Sequence, residues 1–245
     1  MAHQAFSAAT MPERGGGRRR AELPSARQAL WLAVLCLIAL ALVWVVAQLV
    51  PAARARDVVA LRDFTQLDGP KVGTVARFLL HLLDPFLFVI WGAVLVLVAL
   101  ARERARVALA VAIVLTLAPL SADRLKPLLA HPHSRLGEVG IGVASWPSGH
   151  ATAAAALAMC AVLVAPERMR LRVAVLGTAF ALGAGCAMLI REWHMPSDVL
   201  GGYLLAGLWT ALAVAGVRFS ERRDPSRARP ASTTARPARP RAPRG

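Results

Sequence analysis

The chain contains six apolar segments, each long enough or nearly long enough to cross a lipid bilayer as a helix. Such a helix needs about 20 mostly apolar residues. In a bilayer every backbone polar group must be satisfied internally, so an α-helical bundle is the natural arrangement of several such segments. The sequence therefore predicts an all-α bundle of six transmembrane helices. The segments cover residues 29–50, 78–100, 107–121, 151–165, 171–190 and 199–217.

Two polar tails flank these apolar segments. Residues 1–28 and 218–245 are rich in Arg, Gly, Pro, Ser and Ala and contain almost no large apolar residues. That composition is typical of disordered chain. We therefore predict one membrane domain over residues 29–217 between two disordered basic tails. Its third and fourth segments are short unless they continue into the polar loop between them, which predicts that part of this loop lies at membrane depth.

The chain has a formal net charge of +15, and its basic residues lie in the tails and between the apolar segments. This distribution indicates membrane orientation and not a surface that binds nucleic acid. If both termini are cytoplasmic, 20 of the 29 Lys and Arg residues fall in the tails and in the two loops on the same side. Cytoplasmic loops of multi-pass proteins carry such an excess of basic residues. The charge therefore predicts a multi-pass protein of the cell membrane, with both termini in the cytoplasm, that contacts the lipid bilayer and no nucleic acid.

Histidines and other ionisable residues gather at the predicted extracytoplasmic ends of the last four segments. Three of them, His150, His194 and Asp198, belong to two short motifs, at residues 147–150 and 194–198. Ionisable residues near membrane depth are costly, so such a cluster predicts a functional site more than a rim of snorkelling basic side chains. The remaining members are Asp123, Arg124, Lys126, His131, His133, Arg135 and Arg191.

The first motif, Pro147-Ser148-Gly149-His150, has the parts of a phosphate site. Ser148 precedes an Ala-rich helix, so its side chain can cap that helix while free amides of the first turn point toward a bound anion. Ser and Gly are common at helix starts without any ligand. His150 strengthens the prediction, because a histidine near a bound phosphate can protonate a departing alkoxide.

The second motif pairs a histidine with a carboxylate. Pro196 and Ser197 predict the start of a helix, which leaves His194 one turn before Asp198. A carboxylate that accepts the imidazole Nδ1 proton fixes the tautomer and leaves Nε2 free to attack phosphorus. A single His-x-x-x-Asp spacing is weak, but two motifs on the same side of the membrane predict phosphoryl transfer.

On these motifs the chain resembles the type 2 phosphatidic acid phosphatase family, whose lipid phosphate phosphatases share a helical core with vanadium-dependent haloperoxidases. That family carries K-x6-R-P, P-S-G-H and S-R-x5-H-x3-D on a six-helix membrane core. The resemblance covers about residues 29–217, with the second motif matched in full and the third matched at His194 and Asp198. It implies a bundle of the lipid phosphate phosphatase type and a metal-independent hydrolase without a cofactor.

The resemblance also implies a role for each matching residue. His194 would be the nucleophile that forms a phosphohistidine, Asp198 its orienting partner, and His150 the acid that protonates the leaving group. The phosphate oxygens would be held by Lys126, which matches the lysine of the first motif, and by Ser148 and the Gly149 amide.

Both arginines of the family motifs are absent from their usual positions. His133 stands at the arginine of the first motif, with His131 nearby as a shifted substitute, and Met188 stands at the arginine of the third. Losing a charge-assisted donor to a transferring phosphoryl group costs about 10²-fold or more in rate. Arg135 and Arg191 are candidate replacements with the bidentate geometry that phosphate favours, unless they only snorkel at the interface.

The sequence thus predicts a membrane phosphatase that hydrolyses a lipid phosphate or a lipid diphosphate, including polyprenyl diphosphate, at the extracytoplasmic face. One alternative is a catalytically degenerate member that binds lipid phosphates or acts as a membrane scaffold, and the missing arginines favour it. Another is a transporter with a histidine proton relay, although six helices without an internal repeat and polar residues confined to one side argue against it. The nature of the lipid tail and the oligomeric state stay open.

Overall fold

The computed structural model describes residues 24–130, 141–142 and 144–223, and every regular element in these residues is an α-helix. The prediction of an all-α protein is therefore confirmed. His131, His133 and Arg135 lie outside the described residues. The helices are α1 (Ala26–Leu49), α2 (Pro51–Thr65), α3 (Pro70–His81), α4 (Pro85–Ala101), α5 (Ala105–Leu128), α6 (Gly149–Val164), α7 (Glu167–Ile190) and α8 (Pro196–Arg222).

Four of these helices, α1, α5, α7 and α8, are long and apolar enough to cross a membrane. Helices α3 and α4 together pass the same test as one bent span. Large apolar side chains such as Leu35, Phe86 and Leu176 point out of the bundle, as contact with lipid requires. The chain is thus a multi-pass membrane protein. The count of six spans stays a prediction, because α6 has only 16 residues and a full crossing takes about 20.

The segment predicted over residues 78–100 is not one straight helix. It is broken between α3 and α4 with a bend of 57°. Pro85 explains the break, since it lacks a backbone N–H and forces the preceding residue out of the helical region. Asp84 accordingly has an extended ψ of 144° and forms an ion pair with His81 at the end of α3.

The helix boundaries also differ from the predicted ones in the polar parts of the chain. Helix α2 and most of α3 occupy residues that were predicted as an interhelical loop. Helix α5 continues to Leu128, well past the predicted end at residue 121, and so carries Lys126 on its last turn. These helical parts hold several charged residues, so hydropathy alone does not reveal them.

Helix α6 lies at the centre of the bundle, in contact with α5, α7 and α8. Its small side chains Ala151, Ala154 and Ala156 are fully buried, which lets neighbouring helices approach closely. At its C-terminal end, Arg102 and Arg104 donate to the carbonyl oxygens of Val164 and Leu163, at 2.9 Å and 3.1 Å. Cations suit this end of a helix because its carbonyl groups carry partial negative charge.

The start of α1 and the end of α8 lie together at one end of the bundle. Arg218 Nε donates to the carbonyl oxygen of Pro24 at 3.2 Å. Helix α8 begins at Pro196, so its N-terminus lies at the opposite end, where it meets the N-terminus of α6. Both histidine motifs stand at that opposite end.

Candidate active site

The two motifs that the sequence analysis singled out are in direct contact. The backbone N–H of Ser148 donates to the carbonyl oxygen of Asp198 at 3.0 Å. Gly202, one turn further along α8, packs against the backbone of the first turn of α6. The first turns of α6 and α8 therefore form one unit, which brings the two motifs together.

Ser148 caps helix α6, as its sequence predicts. Its Oγ accepts a hydrogen bond from the N–H of Ala151 at 3.2 Å, and its carbonyl oxygen accepts from the N–H of Thr152 at 3.0 Å. The first N–H groups of a helix have no acceptor within the helix, so the amides of Gly149 and His150 are available to an anion. The motif thus presents backbone donors at the positive end of the α6 dipole.

His194 and Asp198 form the second half of the site. Nδ1 of His194 lies 3.4 Å from Oδ2 of Asp198, and the same oxygen accepts the N–H of Met195 at 3.0 Å. Asp198 is completely buried and His194 is 9% exposed. Oδ1 of Asp198 is buried without a hydrogen-bond partner among the described residues. A carboxylate held in this way favours the tautomer with the proton on Nδ1 and the lone pair on Nε2.

His150 connects the two halves. Its ring packs against Trp193 with the ring centroids 5.6 Å apart and the planes tilted by 55°. It interacts electrostatically with His194 and Lys126, and with the carboxylates of Asp123 and Asp84. The site therefore gathers the C-terminal turn of α5, the first turn of α6, the α7–α8 turn and the start of α4.

Lys126 lies beside the amide of Gly149. Its Nζ forms an ion pair with Oδ1 of Asp123 at 2.8 Å. A Cβ at position 149 would lie 3.5 Å from this Nζ and 3.4 Å from the Asp123 oxygen. Because residue 149 has no side chain, both ends of the Lys126–Asp123 ion pair lie close to this position. The ammonium is the member of the pair that suits a phosphate.

Met188, which stands at the arginine of the third family motif, and Arg191, its candidate replacement, have different surroundings. Met188 is fully buried, and its Sδ accepts the hydroxyl of Ser148 at 3.5 Å, so a thioether occupies the place next to the cap. Arg191 caps the end of α7, and its Nη1 forms an ion pair with Oδ2 of Asp68 at 2.6 Å. Arg191 is therefore tied to the chain between α2 and α3.

Three aspartates at this end of the bundle were not assigned to the site from the sequence. Asp68 binds Arg191, Asp57 binds Ser197 at the start of α8, and Asp84 acts electrostatically on His150. Asp57 and Asp68 belong to a segment that hydropathy classifies as a loop. Among the described residues, no group of three or more His, Cys, Asp and Glu side chains is placed to hold a metal ion.

Gly202 is required by the close approach of α8 to α6. A Cβ at this position would lie 2.6 Å from the Ser148 carbonyl oxygen and 3.0 Å from the Thr152 nitrogen, and neither backbone atom can move away alone. We expect Gly202→Ala to lower the free energy of unfolding by about 1–3 kcal/mol and to reduce activity. Thermal unfolding in detergent measures the first effect.

Gly216→Ala is the matched control on the same helix. Nothing lies within 4 Å of a Cβ at Gly216, and alanine is the better helix former, so we expect unchanged or slightly higher stability. Equal thermal midpoints for the Gly202 and Gly216 variants would contradict the close packing of the two first turns.

Comparison with known proteins is consistent with this geometry. A family model described as the PAP2 superfamily matches residues 104–222, from the N-cap of α5 to the end of α8. A search of curated protein sequences finds no match. Among solved structures, the fold is similar to that of a transmembrane PAP2-type phosphatidylglycerolphosphate phosphatase from Bacillus subtilis. The TM-score is 0.63 at 21% identity, covering 79% of this chain and 98% of that chain.

Proposed function

The chain belongs to the PAP2 superfamily, and from that premise we propose that it hydrolyses a lipid phosphate or a lipid diphosphate through a phosphohistidine intermediate. The observation that carries the proposal is the buried His194–Asp198 pair, which the hydrogen bond from the Ser148 N–H to the Asp198 carbonyl oxygen joins to the start of α6. The solved relative is a phosphatidylglycerolphosphate phosphatase, so phosphorylated glycerolipids belong among the first substrates to test.

In the first step, Nε2 of His194 attacks phosphorus while the bond from phosphorus to the lipid oxygen breaks. Asp198 accepts a hydrogen bond from Nδ1–H of His194 throughout and stabilises the positive charge that the imidazole gains. His150 donates its proton to the departing oxygen, so the lipid leaves as an alcohol or, from a diphosphate, as a monophosphate. The products of this step are the free lipid and a phosphorylated His194.

In the second step, water attacks phosphorus and the P–N bond breaks. His150, now neutral, takes a proton from the water, and His194 recovers its lone pair on Nε2. Inorganic phosphate then leaves and both histidines return to their starting states. Every atom and proton in this cycle comes from the substrate, from water or from the two histidines, and the proposal assigns no step to a metal ion.

The phosphate oxygens are held, in this proposal, by donors around the start of α6. The Gly149 amide, the first turn capped by Ser148 and the ammonium of Lys126 are adjacent in the structure. Arg191 retains N–H groups besides the one that binds Asp68, since a guanidinium has five donors. We include it as a phosphate ligand, together with Arg135 and His131, which precede α6 in the chain.

The reaction takes place, we propose, at the extracytoplasmic face. Pro24 and Arg218, together with Arg102 and Arg104 at the C-terminal end of α6, mark one end of the bundle, and the two histidine motifs lie at the other. Basic residues concentrate on the cytoplasmic side of multi-pass proteins. The lipid tail would then stay in the outer leaflet while its head group reaches the site.

Phosphate release from a panel of lipids tests the proposal. The native chain in detergent is incubated with phosphatidic acid, phosphatidylglycerophosphate or polyprenyl diphosphate, with and without a chelator. We expect release of inorganic phosphate from at least one lipid, unchanged by the chelator. A folded protein that releases none would favour the alternative, a lipid-phosphate-binding protein or scaffold, to which Met188 at the position of the family arginine already points.

A further inference from the structure

The turn that carries His194 is held at both of its ends by carboxylates from one segment near the N-terminus. The turn, residues 191–195, joins α7 to α8. At its start, Arg191 is bound by Asp68. Just after its end, Ser197 is bound by Asp57. Both aspartates belong to residues 51–69, which lie outside the part of the chain that the family model matches.

The contact at Asp57 fixes the first turn of α8. One carboxylate oxygen accepts the backbone N–H of Ser197 at 3.1 Å, and the other accepts its hydroxyl at 2.6 Å. The N–H groups of a first turn have no acceptor within the helix, and a carboxylate there also benefits from the helix dipole. Because Ser197 directly precedes Asp198, a movement of this turn would displace Asp198 and with it the hydrogen-bonded His194.

The contact at Asp68 fixes the other end of the turn. Arg191 is tied to α7 through its own backbone N–H, which donates to the carbonyl oxygen of Ala187 at 3.0 Å. Its side chain reaches Asp68 at 2.6 Å, and both side chains are about one-third exposed. Gly73 makes room for the carboxylate, since a Cβ there would overlap with Oδ1 of Asp68. Any larger residue at position 73 would therefore push Asp68 aside.

We propose that residues 51–69 form a clamp that positions His194 for attack, with Asp57 and Asp68 as its two positioning residues. Neither residue has to touch the substrate. The clamp acts by limiting the motion of the turn between its two anchored ends. A misplacement of about 1 Å at a reacting group can cost about 10²-fold in rate, so weakening one anchor has a measurable effect on turnover.

The proposal rests on the proposed phosphatase activity, so its test has one readout that needs no activity. Hydrogen–deuterium exchange of the full-length protein in detergent reports the protection of residues 191–199. We expect Asp57→Asn to exchange several-fold faster in this stretch, with α6 unchanged. Asp63→Asn is the matched control, because Asp63 is an exposed carboxylate on the same helix. We expect it to exchange as the native chain does.

The second readout is steady-state phosphate release. We expect Asp57→Asn to lower kcat about 10-fold to 100-fold with KM changed less than threefold, and Asp57→Glu to restore part of the loss. Gly73→Ala tests the second anchor, because it displaces Asp68 while both charges of the ion pair remain. We expect it also to lower kcat.

Two results would overturn the clamp. One is native exchange at residues 191–199 in Asp57→Asn, whether or not any lipid is hydrolysed. The other is an equal change in the Asp63→Asn control, which would mean that α2 contributes only general stability. If Asp57→Asn does not fold, Ser197→Ala replaces it, since it removes only the hydroxyl bond to Asp57 and must still accelerate exchange. An inactive native chain with a protected turn would contradict the phosphatase activity and not the clamp.

Discussion

Replacing His194 with alanine should remove lipid phosphate hydrolysis almost completely, by roughly 10⁴-fold in kcat. The variant keeps the backbone amides of α6 and the ammonium of Lys126, so lipid phosphate still binds. It loses the only side chain that the proposed mechanism allows to form a bond with phosphorus. Initial rates of phosphate release, with the same lipid and detergent for both proteins, measure the loss.

A labelling experiment identifies the covalent step itself. With a lipid carrying ³²P in its phosphate, a rapid quench in alkali should leave label on the native protein, because a phosphoramidate bond of histidine survives alkali. The His194→Ala variant should carry none. Release of the label from the native protein in acid identifies phosphohistidine. A labelled His194→Ala protein would contradict the assignment of the nucleophile.

His81→Ala is the control for losing a histidine at the same end of the bundle. His81 is largely exposed and pairs with Asp84 at the α3–α4 break. The proposed mechanism gives it no bond to phosphorus and no proton to carry. We expect phosphate release within about twofold of the native rate. A loss similar to that of His194→Ala would mean that histidine replacement at this end perturbs the fold and not the chemistry.

The two histidine motifs were predictable because their geometry is local. Ser148 caps the helix that follows it, and His194 stands one turn before Asp198, so each motif is defined by a few consecutive residues. The apolar segments were predictable for a similar reason, since hydropathy over about 20 residues sums many small contributions. All-helical structure and the approximate positions of α1, α5, α7 and α8 follow from that signal.

The parts that sequence reasoning missed depend on contacts between distant residues. Asp57 binds Ser197, which follows it by 140 positions, and nothing in either neighbourhood indicates the other. The charged helix α2 is too polar to be recognised by hydropathy, and its place in the fold comes from packing on α7 and α8. The partner of Arg191 was equally hidden, because a basic residue at a membrane interface needs no protein partner.

The break between α3 and α4 was visible in the sequence but its consequence was not. Pro85 ends one helix and begins another, yet the surrounding apolar residues make a single continuous span equally plausible by hydropathy. The structure turns the chain by 57° there and brings Asp84 within electrostatic range of His150. A proline inside an apolar segment therefore changed which residues reach the site, and not only the shape of a helix.

Replacing His150 with alanine should lower the hydrolysis of lipid phosphates by about 10²-fold to 10⁴-fold, the usual contribution of a general acid. The alkoxide of a glycerolipid is a poor leaving group and needs a proton as it departs. The position of the ring against Trp193, within electrostatic range of His194, suits that transfer. The loss should appear in kcat with KM nearly unchanged, since the imidazole acts in the transition state.

The choice of substrate distinguishes this role from simple phosphate binding. 4-Nitrophenolate leaves without a proton. The factor by which His150→Ala lowers the rate should therefore be at least about tenfold smaller with 4-nitrophenyl phosphate than with the lipid. Trp193→Phe keeps an aromatic face under His150 and serves as a conservative control for the shape of the site. An equal loss for both substrates would mean that His150 stabilises the phosphoryl group in both reactions. The proton for the lipid alkoxide would then have to come from water or from Lys126, the ammonium beside the Gly149 amide.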